Sequence, residues 1–112
     1  MNNFGKFGED LAVIYLWFHG YSILDRNFSS RFGEIDIIAK KRNRILFVEV
    51  KARGSNSLAS PASYVDEFKQ RKIIKTAQLY ILYKKLDKYE LRFDVIEVTK
   101  KYPFVTRIKN AF

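Results

Sequence analysis

Two short charged segments interrupt the apolar middle of the chain. The first, Gly33-Glu34-Ile35-Asp36, leads into the run Ile37-Ile38-Ala39, and the second, Glu49-Val50-Lys51, follows the run Ile45-Leu46-Phe47-Val48. Runs so rich in β-branched and apolar residues are typical of buried strands, where an isolated charge is costly unless it is paired or bound to a metal. Carboxylates combined with a lysine indicate metal-assisted chemistry on a phosphate.

The alternation of side chains along a strand places Glu49 and Lys51 on one face and Val50 on the other. We expect Glu49 and Lys51 to lie about 7 Å apart on that face. An antiparallel neighbouring strand about 5 Å away can then present Asp36 to both of them. A simple cross-strand ion pair between Asp36 and Lys51 is the alternative interpretation, but it leaves Glu49 unexplained.

A third carboxylate, Glu9, lies in a predicted first helix that runs from Lys6 to His19 and that Gly20 ends. Two apolar stripes follow this helix, one of Phe7, Leu11, Ile14 and Phe18 and one of Ala12, Val13 and Leu16. Glu9 stands at the head of the second stripe, which we expect to be buried. The simpler interpretation is a glutamate of the first turn that complements the helix dipole.

The remaining sequence predicts strands over 21–28, 35–40, 44–52, 91–98 and 104–108 and a second helix over 64–86. A capping box of Ser63 and Asp66 is expected to begin that helix. Because a strand–helix–strand connection is a right-handed crossover, strand 91–98 should lie parallel to strand 44–52. The predicted fold is a single α/β domain over residues 1–112, with a mixed central sheet flanked by helices.

A divalent metal ion fits the candidate site better than other cofactors. Oxygen donors in a chain with no cysteine and only one histidine suit Mg²⁺ or Mn²⁺, and the carbonyl of Val50 is a further candidate ligand. The ion would lower the pKa of a bound water, while Lys51 would position that water or stabilise charge on the phosphate.

Gln70 is aimed at the sheet near the start of the second helix. Segment 53–62, small and polar, is predicted to be a mobile loop beside the site.

The charge of the chain points to a polyanionic partner. Its 112 residues contain 21 Lys and Arg against 12 Asp and Glu, a net charge of +9, which favours nucleic acid or an anionic membrane surface. Candidate phosphate-binding residues are Lys41, Arg42 and Arg44 of the predicted hairpin turn, Arg53, and Lys69, Lys72 and Lys75 of the second helix. For the helix lysines, a solvated basic face is an equally simple interpretation.

Several classes of protein are disfavoured by what the sequence lacks. No apolar run approaches the roughly 18 residues of a membrane span, the first residues do not form a signal peptide, and there is no phosphate-binding glycine loop. The absence of cysteine is compatible with a cytoplasmic location. His19 alone cannot supply a histidine-metal site.

The ordered motifs resemble those of the small bacterial YraN family. They are Gly5-Lys6-Phe7-Gly8-Glu9, Arg26-Asn27, Gly33-Glu34-Ile35-Asp36, Phe47-Val48-Glu49-Val50-Lys51, Lys69-Gln70-Arg71-Lys72 and Arg92-Phe93-Asp94-Val95. That family resembles Holliday-junction resolvases of the PD-(D/E)xK, restriction-endonuclease-like nucleases, whose core is helix-strand-strand-strand-helix-strand. The resemblance implies metal ligands at Glu9, Asp36 and Glu49, a catalytic lysine at Lys51 and a supporting residue at Gln70.

The sequence therefore predicts a metal-dependent endonuclease acting on DNA, with branched or structured DNA as its substrate. A non-catalytic nucleic-acid-binding protein on a nuclease scaffold is the first alternative, and a ribosome- or protein-associated adaptor is the second. A junction resolvase must make two symmetric cuts, which predicts a homodimer. Candidate apolar surface for its interface lies in the tail, at Phe104, Val105 and Phe112.

Overall fold

A five-stranded mixed sheet with one helix on each face is the framework of the chain. The computed structural model describes residues 3–53 and 65–112, which contain helix α1 (Asn3–Phe18), strands β1 (Ser22–Ser29), β2 (Glu34–Lys41) and β3 (Arg44–Arg53), helix α2 (Glu67–Lys84) and strands β4 (Glu90–Thr99) and β5 (Val105–Ile108). The strands lie side by side in chain order. Strands β1, β2 and β3 are antiparallel neighbours, β4 is parallel to β3, and β5 is antiparallel to β4. This arrangement confirms the predicted fold class and is compatible with a restriction-endonuclease-like core.

The sheet separates two hydrophobic cores, because successive residues of a buried strand point to opposite faces. Under α1, the core combines the helix residues with Leu46 and Val48 of β3 and with Ile96 and Val98 of β4. Under α2, the core combines Ile73, Ala77 and Tyr80 of the helix with strand residues that include Phe47 and Val95. Each face of the sheet therefore positions its own helix, and with it that helix's polar residues.

Only one of the two apolar stripes of α1 faces the sheet. Ala12, Val13 and Leu16 are buried, and Glu9 at the head of this stripe is only 7% exposed, as predicted. The members of the other stripe that lie largely in solvent are Phe7, Ile14 and Phe18. The sheet covers one side of the helix, so that the face bearing Glu9 is the face held against the strands.

Helix α2 begins later than the sequence predicted. Its first residue is Glu67, and Asp66 is the N-cap, whose Oδ1 accepts a hydrogen bond from the backbone N–H of Lys69 at 2.8 Å. The capping box at Ser63 is therefore a wrong prediction for the helix start, and Ser63 itself lies outside the described residues. At the other end, Lys85 adopts a left-handed conformation with φ 58° and ends the helix before the predicted Leu86. No helix in the described ranges is long and apolar enough to cross a membrane.

A buried carboxylate fastens the end of the chain to the sheet. Asp94 of β4 is fully buried, and its Oδ2 accepts a hydrogen bond from Nε of Arg107 at 2.7 Å. Its other oxygen, Oδ1, accepts from the backbone N–H of Asn110 at 2.9 Å and lies 3.5 Å from Nε of Arg92. Because the side chain of Arg107 is only 6% exposed, losing the carboxylate would leave a buried cation without its counter-charge.

We predict that Asp94→Asn lowers the free energy of unfolding by about 3 kcal/mol, because removing one partner of a buried ion pair strands the other. The matched control is Asp87→Asn, which changes an exposed aspartate and should cost less than about 0.5 kcal/mol. Urea unfolding followed by circular dichroism measures both. Equal stabilities of the two variants would contradict the prediction.

Candidate functional site

The sheet opens between β2 and β3 beside Asp36. The pairing of these strands ends at Ile37 and Val48, one residue before Asp36 would face Glu49. Beyond that point the backbone N–H of Val50 donates to Oδ2 of Asp36 at 2.8 Å. The partner of this N–H is therefore a side chain and not a backbone carbonyl of β2. Because the N–H and C=O of one strand residue point to the same side, the carbonyl of Val50 also faces this opening.

The predicted relation of Glu49 to Lys51 is confirmed. Both side chains lie on the α2 face of the sheet, and Nζ of Lys51 is 3.3 Å from Oε2 of Glu49. Val50 packs its side chain into the core on the opposite face, under α1. Glu49 is only 7% exposed. Among the ion pairs of residues 3–53 and 65–112, the partner of Lys51 is Glu49 and not Asp36, so the simple Asp36–Lys51 pair is not what the structure contains.

The surroundings of Asp36 disfavour its charged form. Burial and the neighbouring carboxylate of Glu49 raise the pKa of Asp36 to about 7, and the more distant charge of Glu9 adds to the effect. The hydrogen bond from Val50 acts in the opposite direction, because it stabilises the charged form. When protonated, Asp36 can donate a hydrogen bond to Glu49, which adds to the rise of the Asp36 pKa.

Glu9 approaches the same region from the α1 side. Its Oε1 accepts hydrogen bonds from Nη2 of Arg26 at 3.1 Å and from Nδ2 of Asn27 at 3.0 Å. Asn27 has a positive φ of 53°, which aims it out of the regular pleat of β1. Glu9 of α1 and Glu49 of β3 thus both act electrostatically on Asp36 of β2, and Arg26 and Asn27 orient Glu9.

Lys69 occupies a position that the sequence did not predict. Its Nζ donates to Oε2 of Glu49 at 2.6 Å, so this lysine of the first turn of α2 contacts the carboxylate cluster itself. Burial lowers the pKa of Lys69, but the hydrogen bond and charge of Glu49 outweigh it and leave the pKa raised. One feature of the sequence could have indicated this contact. Lys69 directly precedes Gln70, at the start of the helix that was expected to lie near the site.

Gln70, the predicted supporting residue, holds the entry to α2 in the structure. Its Nε2 donates to the backbone carbonyl of Val65 at 2.9 Å. Val65 is buried in the core under α2, so this bond fixes the chain just before the helix that carries Lys69. The role of Gln70 in catalysis stays a prediction. Of the predicted loop over 53–62, only Arg53 lies within the described residues, and it pairs with Glu97 at 3.8 Å.

The two predicted basic clusters lie in different places. Arg44 begins β3, seven residues before Lys51, which puts the hairpin turn roughly 23 Å from the carboxylates at about 3.3 Å per residue. Arg44 also pairs with Glu90 at 3.0 Å, and Lys41 stacks over the ring of Tyr21. The hairpin residues Lys41, Arg42 and Arg44 can therefore contact a long polyanion but not a phosphate at the carboxylates.

The helix lysines lie closer to the site. Lys69 and Lys72 line one cavity at the start of α2, and Lys72 and Lys75 line a second. Of these three lysines Lys69 contacts the carboxylates directly, and Lys72 and Lys75 follow it along α2.

The donor set fits a hard divalent cation in its chemistry. Asp36, Glu49 and the carbonyl of Val50 offer only oxygen, which Mg²⁺ and Mn²⁺ prefer. A cation bound between the two acids would offset the repulsion that raises the pKa of Asp36. In the described conformation the ammonium of Lys69 is the cation on Glu49, and no three histidine, aspartate or glutamate side chains of the described residues converge as a ligand group.

These features define the class of the molecule: an α/β domain with buried carboxylates and lysines where a mixed sheet opens. Residues 8–98 match the sequence profile described as "Uncharacterised protein family UPF0102", and the chain belongs to this family. The match confirms the resemblance to the YraN family.

Relatives of high identity cover nearly the same length. A UPF0102 protein of Persephonella marina is 51% identical over 108 residues, 96% of this chain and 91% of the relative. One from Clostridium tetani is 57% identical over 94 residues, 84% of this chain and 77% of the relative. One from Clostridium botulinum strain Hall is 52% identical over 114 residues, 96% of this chain and 92% of the relative. The resemblance therefore covers the sheet, both helices and the carboxylate cluster.

We predict that Asp36→Asn changes the pH dependence of stability in EDTA. With a pKa of about 7 in the folded state and an ordinary value of 3.8, folded Asp36 retains a proton that the unfolded chain releases. The wild-type free energy of unfolding therefore falls between pH values near 4 and 7. The asparagine variant should gain about 2–3 kcal/mol relative to wild type on going from about pH 5 to about pH 8.

Urea unfolding at the two pH values measures this difference, with Asp87→Asn as the matched control that should show none. A stability difference between Asp36→Asn and wild type that is the same at both pH values would show that Asp36 titrates normally.

Proposed function

We propose that the chain is a metal-dependent endonuclease that hydrolyses phosphodiester bonds of DNA, with branched or structured DNA as its substrate. The observation that supports the proposal most is that the sheet opens at Asp36 and Glu49, where Asp36 accepts a hydrogen bond from the Val50 N–H and Lys51 lies 3.3 Å from Glu49. The family resemblance implies Asp36 and Glu49 as metal ligands and Lys51 as the catalytic lysine, together with Glu9 as a further ligand and Gln70 as a supporting residue. The net charge of +9 suits a nucleic-acid substrate.

The carboxylates would hold the ion and the lysine would act on the reacting phosphate. Asp36, Glu49 and the carbonyl of Val50 are the proposed ligands of Mg²⁺ or Mn²⁺. When bound, the ion supplies a water of lowered pKa and neutralises charge on the phosphate. Lys51, a compact cation fixed by Glu49, positions the attacking water or stabilises the charge that develops on the phosphate oxygens.

Glu9 and Lys69 support this arrangement from the two helices. Glu9 is held by Arg26 and Asn27 and adds a third negative charge to the cluster, which strengthens the attraction for a divalent cation. Lys69 adds a positive charge on the α2 side, where the phosphate backbone of a substrate would approach. In this arrangement the carboxylates face the metal ion, and the positive charge of Lys69 faces the nucleic-acid strand.

A non-catalytic nucleic-acid-binding protein is the second candidate, and one observation favours it. Lys69 occupies Oε2 of Glu49 at 2.6 Å, so the described side chains already neutralise one of the acids without a metal. A protein that only bound nucleic acid would not need a metal ion to neutralise this acid. Metal-dependent cleavage separates the two candidates.

The homodimer and the cytoplasmic location stay predictions. In the tail, Phe112 stacks on Phe93 with ring centroids 5.2 Å apart, and Val105 is half-buried against the core under α1. Phe104 is 52% exposed, so of the three tail residues it is the one that remains as apolar surface for a partner. A two-fold dimer would place two carboxylate clusters on one substrate, as two symmetric cuts require.

We predict that Asp36→Asn and Glu49→Gln each reduce Mg²⁺- or Mn²⁺-dependent cleavage by at least roughly 100-fold, the scale on which groups that stabilise the reacting charge act. Affinity for nucleic acid should stay within about twofold, because binding comes from lysines and arginines. Cleavage of labelled four-way junction, flap, duplex and RNA substrates, with EDTA as the metal-free arm, measures the activity.

Asp87→Asn is the control and should cleave like wild type, because its exposed carboxylate lies beyond the C-terminal end of α2. Unchanged metal-dependent activity in purified Asp36→Asn would remove the nuclease assignment. Binding by wild type without cleavage of any substrate would favour the second candidate.

We also predict that the double variant Lys72→Gln/Lys75→Gln lowers the slope of log affinity against log salt concentration by roughly 2, since each phosphate contact contributes about 0.9 on duplex DNA. The charge-preserving double variant Lys72→Arg/Lys75→Arg is the control and should keep the slope. The corresponding variant Lys41→Gln/Arg42→Gln tests the hairpin separately. A slope that does not respond to neutralising either cluster would show that DNA binds elsewhere.

A further inference from the structure

A second feature of the α2 face is a cavity that combines aromatic rings with positive charge. It has a volume of about 270 Å³ and lies between the turn joining β1 to β2 and the first turns of α2. The residues that line it are Arg31, Phe32, Phe68, Arg71, Lys72 and Lys75. No acidic side chain lines it, so its chemistry is that of a receptor for a planar, anionic group.

The cations lie over the aromatic rings. Nζ of Lys72 is 4.4 Å from the ring centroid of Phe68, and Nζ of Lys75 is 5.3 Å from that of Phe32. The guanidinium carbon of Arg31 lies 4.9 Å from the centroid of Phe32. Within residues 3–53 and 65–112, where all twelve acidic residues of the chain lie, none of these cations forms an ion pair. Their charge is therefore available to an external anion.

Hydrogen bonds hold the turn in place before any ligand arrives. Oγ of Ser30 is hydrogen-bonded to Oγ1 of the fully buried Thr76 at 2.8 Å and accepts the backbone N–H of Phe32 at 3.0 Å. The N–H of Ser30 donates to the carbonyl of Gly33 at 2.8 Å. A Cβ at Gly33 would be 3.5 Å from Cβ of Lys72, so the turn packs closely on the helix. The aromatic rings are therefore already in position when a ligand binds.

Lys69 links the neighbourhood of this cavity to the carboxylate cluster. A neighbouring cavity of about 300 Å³ shares Phe68 and Lys72 with it and is also lined by Lys69, Glu34 and Asp66. Lys69 contacts Glu49 at 2.6 Å, so a chain of cations leads from the carboxylates along α2 to the two phenylalanines. A strand whose phosphate lies at Glu49 and Lys51 would thus have a neighbouring nucleotide beside Phe68.

We infer that this cavity binds an unpaired nucleotide of the substrate strand, with its base stacked on Phe68, which is 61% exposed, and its phosphate held by Arg71, Lys72 or Lys75. This inference deepens the proposed function and rests on it. A base within a duplex already has both faces covered by its neighbours, so a ring that offers a stacking face selects single-stranded nucleic acid. The volume lies at the lower end for ligand cavities, which fits one small group. The site therefore prefers DNA with an unpaired segment next to the bond that is cut.

Fluorescence anisotropy in EDTA tests the inference without any cleavage. The probe is a labelled DNA single strand of about 15 nucleotides, within the site size of single-strand-binding modules, compared with its duplex. Phe68→Leu keeps an apolar side chain but removes the aromatic face. It should weaken binding of the single strand roughly tenfold, the loss that removal of one stacked base produces, and binding of the duplex by less than about twofold.

Two further variants make the test specific. Phe68→Tyr keeps the stacking face and should bind the single strand like wild type. Phe18→Leu makes the same substitution at a residue that is 85% exposed on α1, the helix of the other sheet face, and should change neither affinity. An equal loss for single strand and duplex in Phe68→Leu, or no loss for either, would overturn the inference.

The outcome is separable from that of the proposed function. If Asp36→Asn leaves cleavage unchanged while Phe68→Leu loses single-strand affinity, the nuclease assignment fails and the cavity stands as a binding site. If Asp36→Asn abolishes cleavage while Phe68→Leu binds normally, the cleavage site stands and the cavity does not bind an unpaired nucleotide.

Discussion

The repulsion between two neighbouring carboxylates, the half-buried Asp36 and the buried Glu49, is the constraint around which the site is organised. Asp36 and Glu49 lie on neighbouring strands, and burial together with the charge of Glu49 raises the pKa of Asp36 to about 7, because its charged form is disfavoured there. The surrounding groups offset part of that cost. The Val50 N–H leaves the β2–β3 ladder to bond to Asp36, and Lys51 and Lys69 both contact Glu49. Ending the ladder at Ile37 is thus linked directly to the presence of the acid pair.

The sequence predicts most of this framework because its signals are local. Period-two alternation is enough to put Glu49 and Lys51 on one face, and the second stripe of α1 is enough to bury Glu9. The parallel position of β4 follows from chain connectivity. Lys69 was not predicted as a partner of Glu49, because that contact depends on where α2 begins and how it is rotated. The predicted cap was Ser63 with Asp66 as its capping-box partner, but Asp66 itself is the cap, so the helix begins three residues later than predicted, which is nearly one turn.

Long-range polar partners were harder still to predict. Arg26 and Asn27 hold Glu9 across 17 and 18 residues of sequence, and no periodicity relates them. The same is true of Asp94, whose partners Arg107 and Asn110 come from the last part of the chain. Such contacts are fixed by tertiary packing after the strands have paired. A sequence pattern identifies which charges are buried, but the three-dimensional structure is needed to identify what compensates each of them.

The positive charge of the chain is distributed unevenly, and along α2 it forms a row that starts at the carboxylates. Arg26, Arg44, Arg92 and Arg107 each pair with an acid, so their charges serve the fold. Along α2, by contrast, the cations pass from Lys69, which is paired with Glu49, to Lys72 and Lys75, which lie over aromatic rings.

The turn that carries Phe32 also leads into β2, and Asp36 follows Phe32 by four residues. The bond between Ser30 and Thr76 therefore fixes the aromatic cavity and the start of the acid-bearing strand against the same helix. Because one set of contacts positions both, the distance from the rings of Phe32 and Phe68 to the carboxylates is set by the fold, and the proposed cleavage at a fixed offset from an unpaired base would require such a fixed distance.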